Sequence, residues 1–72
     1  MWNRFNKIKP IATELGSWDG YKSAIFLGID YHGTLHLLTM FEGYMDGGYF
    51  CNVYDNYDNL IDDVLEWMEI PL

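Results

Sequence analysis

The sequence has few positive charges, and none of them follows residue 22. The basic residues are Arg4, Lys7, Lys9 and Lys22, against 11 acidic residues, which gives a net charge of −7. Residues 23–72 carry nine carboxylates and no Lys or Arg. Nucleic acids and anionic membranes are polyanions that need cations opposite them, so direct binding to either is disfavoured. A basic protein or nucleoprotein complex is the electrostatically complementary partner.

Cysteine and long apolar runs are also scarce. Cys51 is the single cysteine of the 72 residues, so no disulfide within the chain is expected. A secretory signal combines a basic start with an apolar stretch, and this pattern is not found, so no such signal is predicted. No apolar run approaches the roughly 20 residues that are needed to span a bilayer. A reducing, cytoplasmic setting is therefore the expectation.

Aromatic residues are abundant for so short a chain, with 4 Phe, 6 Tyr and 3 Trp. A domain of this size buries only about 60–65% of the surface that its unfolded chain exposes. Some aromatic side chains are therefore expected at the surface. There they contact a second copy or a partner, or they are half-buried tyrosines whose hydroxyls reach water.

The chain is predicted to form one domain, residues 1–72, of the α+β class. A three-stranded antiparallel β-meander over residues 22–54 would pack against a C-terminal amphipathic helix over residues 58–69. Residues 1–21 are expected to be irregular, with a short helix around residues 11–15 and a turn region at residues 16–20.

Strand patterns fill the middle of the chain. Strands are predicted over residues 22–30, over residues 34–40 or, with a bulge at Gly43, on to Met45, and over residues 49–54. The first strand has apolar residues on both faces, which is typical of a central strand. Tight turns are predicted at His32-Gly33 and at Asp46-Gly47-Gly48.

Residues 58–69 change to a helical period. At about 100° per residue, the apolar side chains fall on one arc: Leu60, Ile61, Val64, Leu65 and Met68. The carboxylates fall on another arc: Asp58, Asp62, Asp63, Glu66 and Glu69. Asp58 is the expected N-cap, and Pro71 lies just beyond the expected end.

Groups that could support catalysis or bind a metal are few. His32 and His36 are placed at a turn and in a strand, where four residues span roughly 13 Å, too far to share one zinc ion. Cys51 lies in an apolar strand and is expected to be a small core residue. Residues 46–57 lack the ordered acids, central Gly and closing Glu of an EF-hand loop. Without a catalytic motif, the chain is expected not to be an enzyme and to need no cofactor or metal.

The predicted acidic helix face is hard to explain by stability alone. Glu66 and Glu69 lie near the C-terminal end, where the helix dipole disfavours negative charge. Asp58, Asp62 and Glu66 are like charges four residues apart, with no Lys to relieve them. They recur about every 6 Å along a helix, close to the spacing of successive phosphates on a nucleic-acid strand. The face is predicted to mimic nucleic acid, and the alternative is a solvated face that keeps the domain soluble.

The residues predicted to contact a partner are acidic and aromatic. The acids are Asp46, Asp55, Asp58, Asp62, Asp63, Glu66 and Glu69. The aromatic residues are Tyr44, Tyr49, Tyr54, Tyr57 and Trp67. Charge would guide the approach, and the aromatic side chains would anchor the contact.

Two stretches resemble a small phage- and prophage-associated domain family of unknown function. Its members carry a Gly-aromatic turn with paired glycines and a C-terminal Trp-Met-x-hydrophobic-Pro signature. The matching residues are Gly43-Tyr44-Met45-Asp46-Gly47-Gly48-Tyr49-Phe50 and Trp67-Met68-Glu69-Ile70-Pro71-Leu72. The family tends to be extended before the Trp-Met pair, where this chain is predicted to be helical. The resemblance implies a phage or mobile-element origin, and hence the cytoplasm of a host cell.

Small acidic phage proteins often look like anti-CRISPR or anti-restriction inhibitors. Charge, aromatic content and resemblance together predict an inhibitor that binds a basic, nucleic-acid-handling host defence enzyme or effector complex. An immunity protein or antitoxin that neutralises a basic toxin has the same physical requirements and stays open. So does a homodimeric structural or assembly module whose charge only makes it soluble.

Overall fold

The computed structural model describes residues 1–15 and 20–70. Within these residues the chain forms seven strands: β1 (Asn3–Arg4), β2 (Ala12–Leu15), β3 (Gly20–Ser23), β4 (Phe26–Asp30), β5 (Leu35–Met45), β6 (Gly48–Asp55) and β7 (Val64–Glu69). All strand pairings are antiparallel. The described part of the protein is all-β, and it holds no helix long and apolar enough to cross a membrane.

β5 is the longest strand and has neighbours along both edges. One edge pairs first with β4 and then with β3, while the other pairs with β6 without a break from Leu38 to Met45. β7 lies on the other side of β4, and β1 lies beyond β7. β2 lies on the other side of β3. The β4–β5–β6 meander is therefore part of a larger sheet, in which β6 is an edge strand.

β3 and β4 form one line of pairing along β5 that a bulge interrupts. Between the residues of β3 and β4 that pair with β5, the chain has one more residue than the facing part of β5 has. There the N–H of Met40 donates to the hydroxyl oxygen of Ser23 at 3.0 Å, and both residues are buried. The Ser23 hydroxyl in turn donates to the carbonyl of Ala24 at 2.8 Å. The Ser23 hydroxyl thus replaces the backbone acceptor that the N–H of Met40 loses at the bulge.

The core lies on one face of the sheet, which we call the inner face. Its buried apolar side chains are Phe26, Leu38, Met40, Val53 and Trp67. Stacked sheets lie about 10 Å apart, so a single flat sheet is a thin layer, whereas the protein measures 34 × 26 × 26 Å. The sheet is therefore bent around these side chains, and the rings of Phe26 and Trp67 meet edge to face with centroids 5.7 Å apart.

The N-terminal segment packs against the open side of this core. It leaves β1 through a turn in which the N–H of Ile8 donates to the carbonyl of Arg4. The carbonyl of Ile8 then accepts the indole N–H of Trp67 at 2.6 Å, and Pro10 is buried nearby in the chain. Trp67 is only 6% exposed as a result.

The predicted α+β class is wrong, because residues 58–69 form no helix. Residues 56–63 form a turn and an irregular segment, and Val64–Glu69 is β7, which pairs with both β4 and β1. The apparent helical spacing came from two different segments. Leu60 and Ile61 precede the strand, whereas Trp67 and Met68 lie within it and point to opposite faces. Asp58, the expected N-cap, has a positive φ of 63° in the turn.

Other predictions on the chain have mixed outcomes. Strands occupy most of residues 22–54, and the Asp46-Gly47 turn has φ values of 54° and 77°, as a two-residue hairpin turn with two positive φ angles requires. The bulge predicted at Gly43 is wrong, because Gly43 pairs in regular register with both Gly20 and Phe50. The helix predicted around residues 11–15 is the strand β2. Of the turn region predicted at residues 16–20, residues 16–19 lie outside the described residues.

Replacing Ser23 by Ala tests the side-chain hydrogen bond at the bulge. We expect the free energy of unfolding to fall by about 1–3 kcal/mol, because the buried N–H of Met40 loses its acceptor. Thr13→Ala removes an exposed hydroxyl from β2 and is expected to change stability by less than about 0.5 kcal/mol. Urea denaturation of both variants measures the difference. Equal losses in the two would contradict the role given to Ser23.

Candidate functional site

Two loops at one end of the sheet share one hydrogen-bond pattern, and each is built on an Asp. The first follows β4, where Oδ1 of Asp30 accepts the N–H groups of His32 at 2.8 Å and Thr34 at 2.9 Å. The N–H of Asp30 donates to the carbonyl of Thr34, and its carbonyl accepts the N–H of Gly33. Gly33 has a φ of 83°, a conformation that glycine adopts without strain.

The second loop follows β6 and repeats these contacts. Oδ1 of Asp55 accepts the N–H groups of Tyr57 and Asn59, both at 2.9 Å. The N–H of Asp55 donates to the carbonyl of Asn59, and the N–H of Asp58 donates to the carbonyl of Asp55. Asp58 takes the place of Gly33, with its φ of 63°. Asp favours such turns because its short side chain hydrogen-bonds the backbone two residues on.

The two loops are connected through the segment before β7. The N–H of Tyr31 donates to the carbonyl of Asp63 at 3.0 Å. Nε2 of His32 lies 3.8 Å from the carboxylate of Asp63. We call residues 30–34 and 55–63 together the loop end.

The loop end is strongly negative. It contains five carboxylates and no Lys or Arg: Asp30, Asp55, Asp58, Asp62 and Asp63. Asp30 is buried, whereas Asp58 and Asp62 are exposed and Asp63 is half-buried. Carboxylates this close in the chain repel one another. For the same electrostatic reason, a cation brought to this surface would be attracted by several of them at once.

Hydrogen bonds lower the pKa of both anchoring aspartates. For Asp30 the largest cause is the contact with His36, whose Nε2 lies 2.8 Å from Oδ2, and the N–H of Thr34 adds to it. For Asp55 the largest cause is the N–H of Asn59. Both carboxylates are therefore ionised near neutral pH, and the loops keep their charge together with their shape.

The imidazole of His36 and the carboxylate of Asp30 are arranged like a general base and the acid that orients it. Their side chains are 19% and 10% exposed. Catalysis would also need a nucleophile within hydrogen-bond reach, and among the described residues Asp30 is the side chain that contacts His36. The pair thus ties β5 to the first loop. Sequence reasoning missed it, although Asp30 three residues before Gly33 was a local signal for this turn.

Metal ligands are dispersed in the part of the chain that the structure describes. No group of three His, Cys, Asp or Glu there could hold a metal ion. His32 and His36 contact different carboxylates, those of Asp63 and Asp30. Cys51 is half-buried and packs against the core. The described side chains therefore offer a charged surface rather than a metal centre.

The residues predicted to contact a partner are distributed over several places. Those at the loop end are Asp55, Tyr57, Asp58, Asp62 and Asp63. Those at the tip of the β5–β6 hairpin, near its turn, are Tyr44, Asp46 and Tyr49. Those on β7 are Glu66, Glu69 and Trp67. Tyr54 lies on the outer face, opposite the core, where its ring meets Phe41 with centroids 5.7 Å apart.

This distribution replaces the predicted helical stripe. Asp46 lies at the far end of β5 from the loop end, so it does not extend that surface. Glu66 and Glu69 are three residues apart in one strand, which places them on opposite faces. Trp67 lies in the core and is not available as a surface anchor. The acids that the fold does bring together are those of the loop end.

The hairpin tip is aromatic and ordered. The rings of Tyr44 and Tyr49 meet edge to face with centroids 5.7 Å apart, and the two residues are 71% and 52% exposed. The hydroxyl of Tyr49 donates to Oε2 of Glu42 at 2.6 Å, and this hydrogen bond raises the pKa of Tyr49. Nζ of Lys9 lies 5.8 Å from the centroid of the Tyr49 ring.

Fold and surface together define a small antiparallel all-β protein with an acidic loop end and an aromatic hairpin tip. No protein family, characterised protein or solved structure that was compared with the chain matches it.

Asp58→Gly tests the backbone conformation of the second loop. Because a positive φ strains a residue that has a Cβ, we expect this variant to be more stable by up to about 1 kcal/mol. Asp58→Val should be less stable by about 1–3 kcal/mol, since a β-branched residue tolerates this conformation poorly. Asp62→Gly removes the same charge at a position without positive φ. Equal stabilisation in both Gly variants, measured by thermal unfolding, would assign the effect to charge repulsion instead.

The pKa values of Asp30 and Asp55 predict acid sensitivity. Because both are lowered on folding, the unfolded chain takes up these protons at higher pH than the folded protein does. Their contribution to stability is complete above about pH 4 and is lost as pH falls through the folded-state pKa values. Asp30→Asn and Asp55→Asn should each make the fall in stability below about pH 4 shallower.

Asp62→Asn is the control for the acid titration, since its carboxylate accepts no hydrogen bond from the described residues. Urea denaturation at a series of pH values gives the slope for each protein. If Asp30→Asn and Asp55→Asn keep the wild-type slope, the hydrogen bonds do not set the acid sensitivity.

Proposed function

We propose that the protein is a binding protein whose loop end contacts a basic protein or nucleoprotein complex, and that it acts by occupying a surface rather than by catalysis. The partner class that this charge favours is a nucleic-acid-handling host defence enzyme or effector complex. Such a partner lines its groove with Lys and Arg to hold phosphates. A small protein seated there, in the cytoplasm of a host cell, would act as a stoichiometric inhibitor.

The observation that carries the proposal is the pair of linked, Asp-anchored loops. They hold five carboxylates at one end of the sheet without a nearby basic residue in the sequence. The internal hydrogen bonds of Asp30 and Asp55 order these loops before any partner binds. Ordered loops lose little conformational entropy on binding, so more of the electrostatic attraction is left as affinity.

The same end offers an anchor for a contact. Tyr57 lies within the second loop and is 80% exposed. Exposed tyrosines contribute strongly to interfaces because a rigid ring buries much area and its hydroxyl still finds a partner. Asp58, Asp62 and Asp63 follow it within the loop end, so the proposed contact combines an exposed aromatic ring with carboxylates.

Mimicry of phosphates along one helix is not part of the proposal, since the helix is absent. The resemblance of residues 43–50 and 67–72 to a phage-associated family implies a phage or mobile-element origin, and small acidic phage proteins often look like such inhibitors. β7 also makes the chain extended before Trp67-Met68, as that family tends to be. An immunity protein that neutralises a basic nuclease toxin would use the same loop end, with a different partner.

A pair of charge-matched double variants tests the proposal. Asp58→Asn with Asp62→Lys changes the loop end, and Asn is tolerated at the positive φ of residue 58. Glu14→Gln with Glu69→Lys makes the same change elsewhere, so that both proteins have a net charge of −4 in place of −7. Each protein is immobilised, exposed to host lysate at low salt and eluted with a salt gradient.

We expect the wild type and the Glu14/Glu69 variant to retain the same basic protein and to release it as salt rises, because screening weakens charge pairing. The Asp58/Asp62 variant should lose it. Equal retention by both variants would show that net charge, and not the loop end, governs binding. Far-UV circular dichroism confirms that each variant is folded.

A further inference from the structure

The outward edge of β6 is the least protected edge of the sheet. Along residues 48–52 this strand pairs with β5 on one side. Among residues 1–15 and 20–70, none pairs with the other side of this stretch. Further along the same edge the backbone is occupied, since the carbonyl of Val53 accepts the N–H of Ile61 at 2.8 Å. The N–H of Asp55 likewise donates to Asn59.

The alternation of the strand shows which backbone groups the open stretch presents. In an antiparallel ladder, residues two apart direct both N–H and C=O to the same edge. The carbonyl of Val53 and the N–H of Asp55 are used on the outward edge, so Tyr49 and Cys51 direct their N–H and C=O groups there as well. The open stretch therefore presents two donors and two acceptors in alternation.

The usual safeguards against pairing are missing from this stretch. Natural edge strands are kept apart by charged side chains, proline, bulges or short length. β1 has two residues and carries Arg4, while β2 carries Glu14 and a bulge. Residues 48–54 contain no charged residue and no proline, and their pairing with β5 is regular.

We propose that this edge pairs with the same edge of a second copy of the chain, with the two β6 strands antiparallel about a two-fold axis at Phe50. Tyr49 then lies opposite Cys51 of the second copy, and the symmetry doubles the contact to four N–H···O=C hydrogen bonds. Placing Cys51 opposite Cys51 would set Tyr49 against Val53, whose carbonyl Ile61 already uses. The register at Phe50 therefore pairs the groups of Tyr49 and Cys51 without requiring a carbonyl that is already used.

Side chains and charge both favour a second copy as the occupant. Phe50 lies on the outer face, and at the axis it would meet Phe50 of the second copy in the closely spaced type of strand pair. The pairing stretch is uncharged, so two chains of net charge −7 meet at a neutral strand. Antiparallel pairing also directs the two loop ends away from each other, which leaves both free.

The contact is small, so the dimer should be reversible. Two five-residue strands bury less than the roughly 1,200 Å² of a stable specific interface. Sedimentation equilibrium over a wide concentration range should show the mean mass rising from 8.5 kDa towards twice that value. Salt should strengthen this dimer by screening the repulsion of two acidic chains, whereas it weakens the contact proposed for the loop end. The opposite salt dependences therefore distinguish failure of the proposed dimer from failure of the proposed contact at the loop end.

Two variants with matched controls test the edge. Phe50→Lys places two like charges opposite each other, and Leu37→Lys makes the same change of charge at an exposed position of β5, away from the edge. Cys51→Pro removes an outward N–H without touching the ladder to β5. Cys51→Ser keeps that N–H and excludes a disulfide as the link.

We expect Phe50→Lys and Cys51→Pro to raise the dimer dissociation constant at least about tenfold, equivalent to about 1.4 kcal/mol, while Leu37→Lys and Cys51→Ser dimerise like the wild type. Amide hydrogen exchange gives a second readout that uses the unchanged protein. The amides of Tyr49 and Cys51 should slow as concentration rises, whereas that of Phe50 is protected at all concentrations by β5. A wild type that stays monomeric up to about 1 mM, or whose Tyr49 and Cys51 amides exchange equally fast at all concentrations, overturns the inference.

Discussion

The backbone of β4 has to be hydrogen-bonded along both edges, and this requirement organises the rest of the sheet. β5 satisfies one edge, and β7 satisfies the other from Phe26 to Asp30. Unpaired backbone groups in so buried a strand would each cost free energy comparable to a lost hydrogen bond. By pairing there, β7 brings Trp67 onto the inner face, and its indole N–H then fixes the N-terminal segment through the carbonyl of Ile8.

The middle of the fold could be predicted from the sequence, whereas its closure could not. Alternating apolar residues and the Asp46-Gly47-Gly48 turn identify the strands because both signals are local. β7 has no comparable signal, since Leu60, Ile61 and the residues after them happen to fit a helical period. A further clue lay in β4, whose two apolar faces are typical of a central strand. A three-stranded meander leaves that strand at an edge, so a further strand beside it was required.

For the candidate site, the charge could be predicted from the sequence, whereas the positions of the charged residues could not. Charge is a property of composition, so the expectation of a basic partner does not depend on whether residues 58–69 are helical. The positions of the carboxylates do depend on it, and the structure moves them from a stripe to two loops. Those loops follow a local rule, an Asp that hydrogen-bonds the backbone two and four residues on, that a search for periodicity does not detect. His36 was missed for the same reason, because its role is to hold Asp30.

Cross-strand nuclear Overhauser effects between β4 and β7 test the central claim most directly. Pairing of Gly28 with Trp67 and of Ile29 with Glu66 predicts close backbone protons across the two strands, together with slowly exchanging amides. The loop end as described depends on this pairing, because it requires residues 56–63 to be a connection rather than part of a helix. Strong sequential amide contacts through residues 58–69, with contacts between residues three apart, would show a helix and contradict the account.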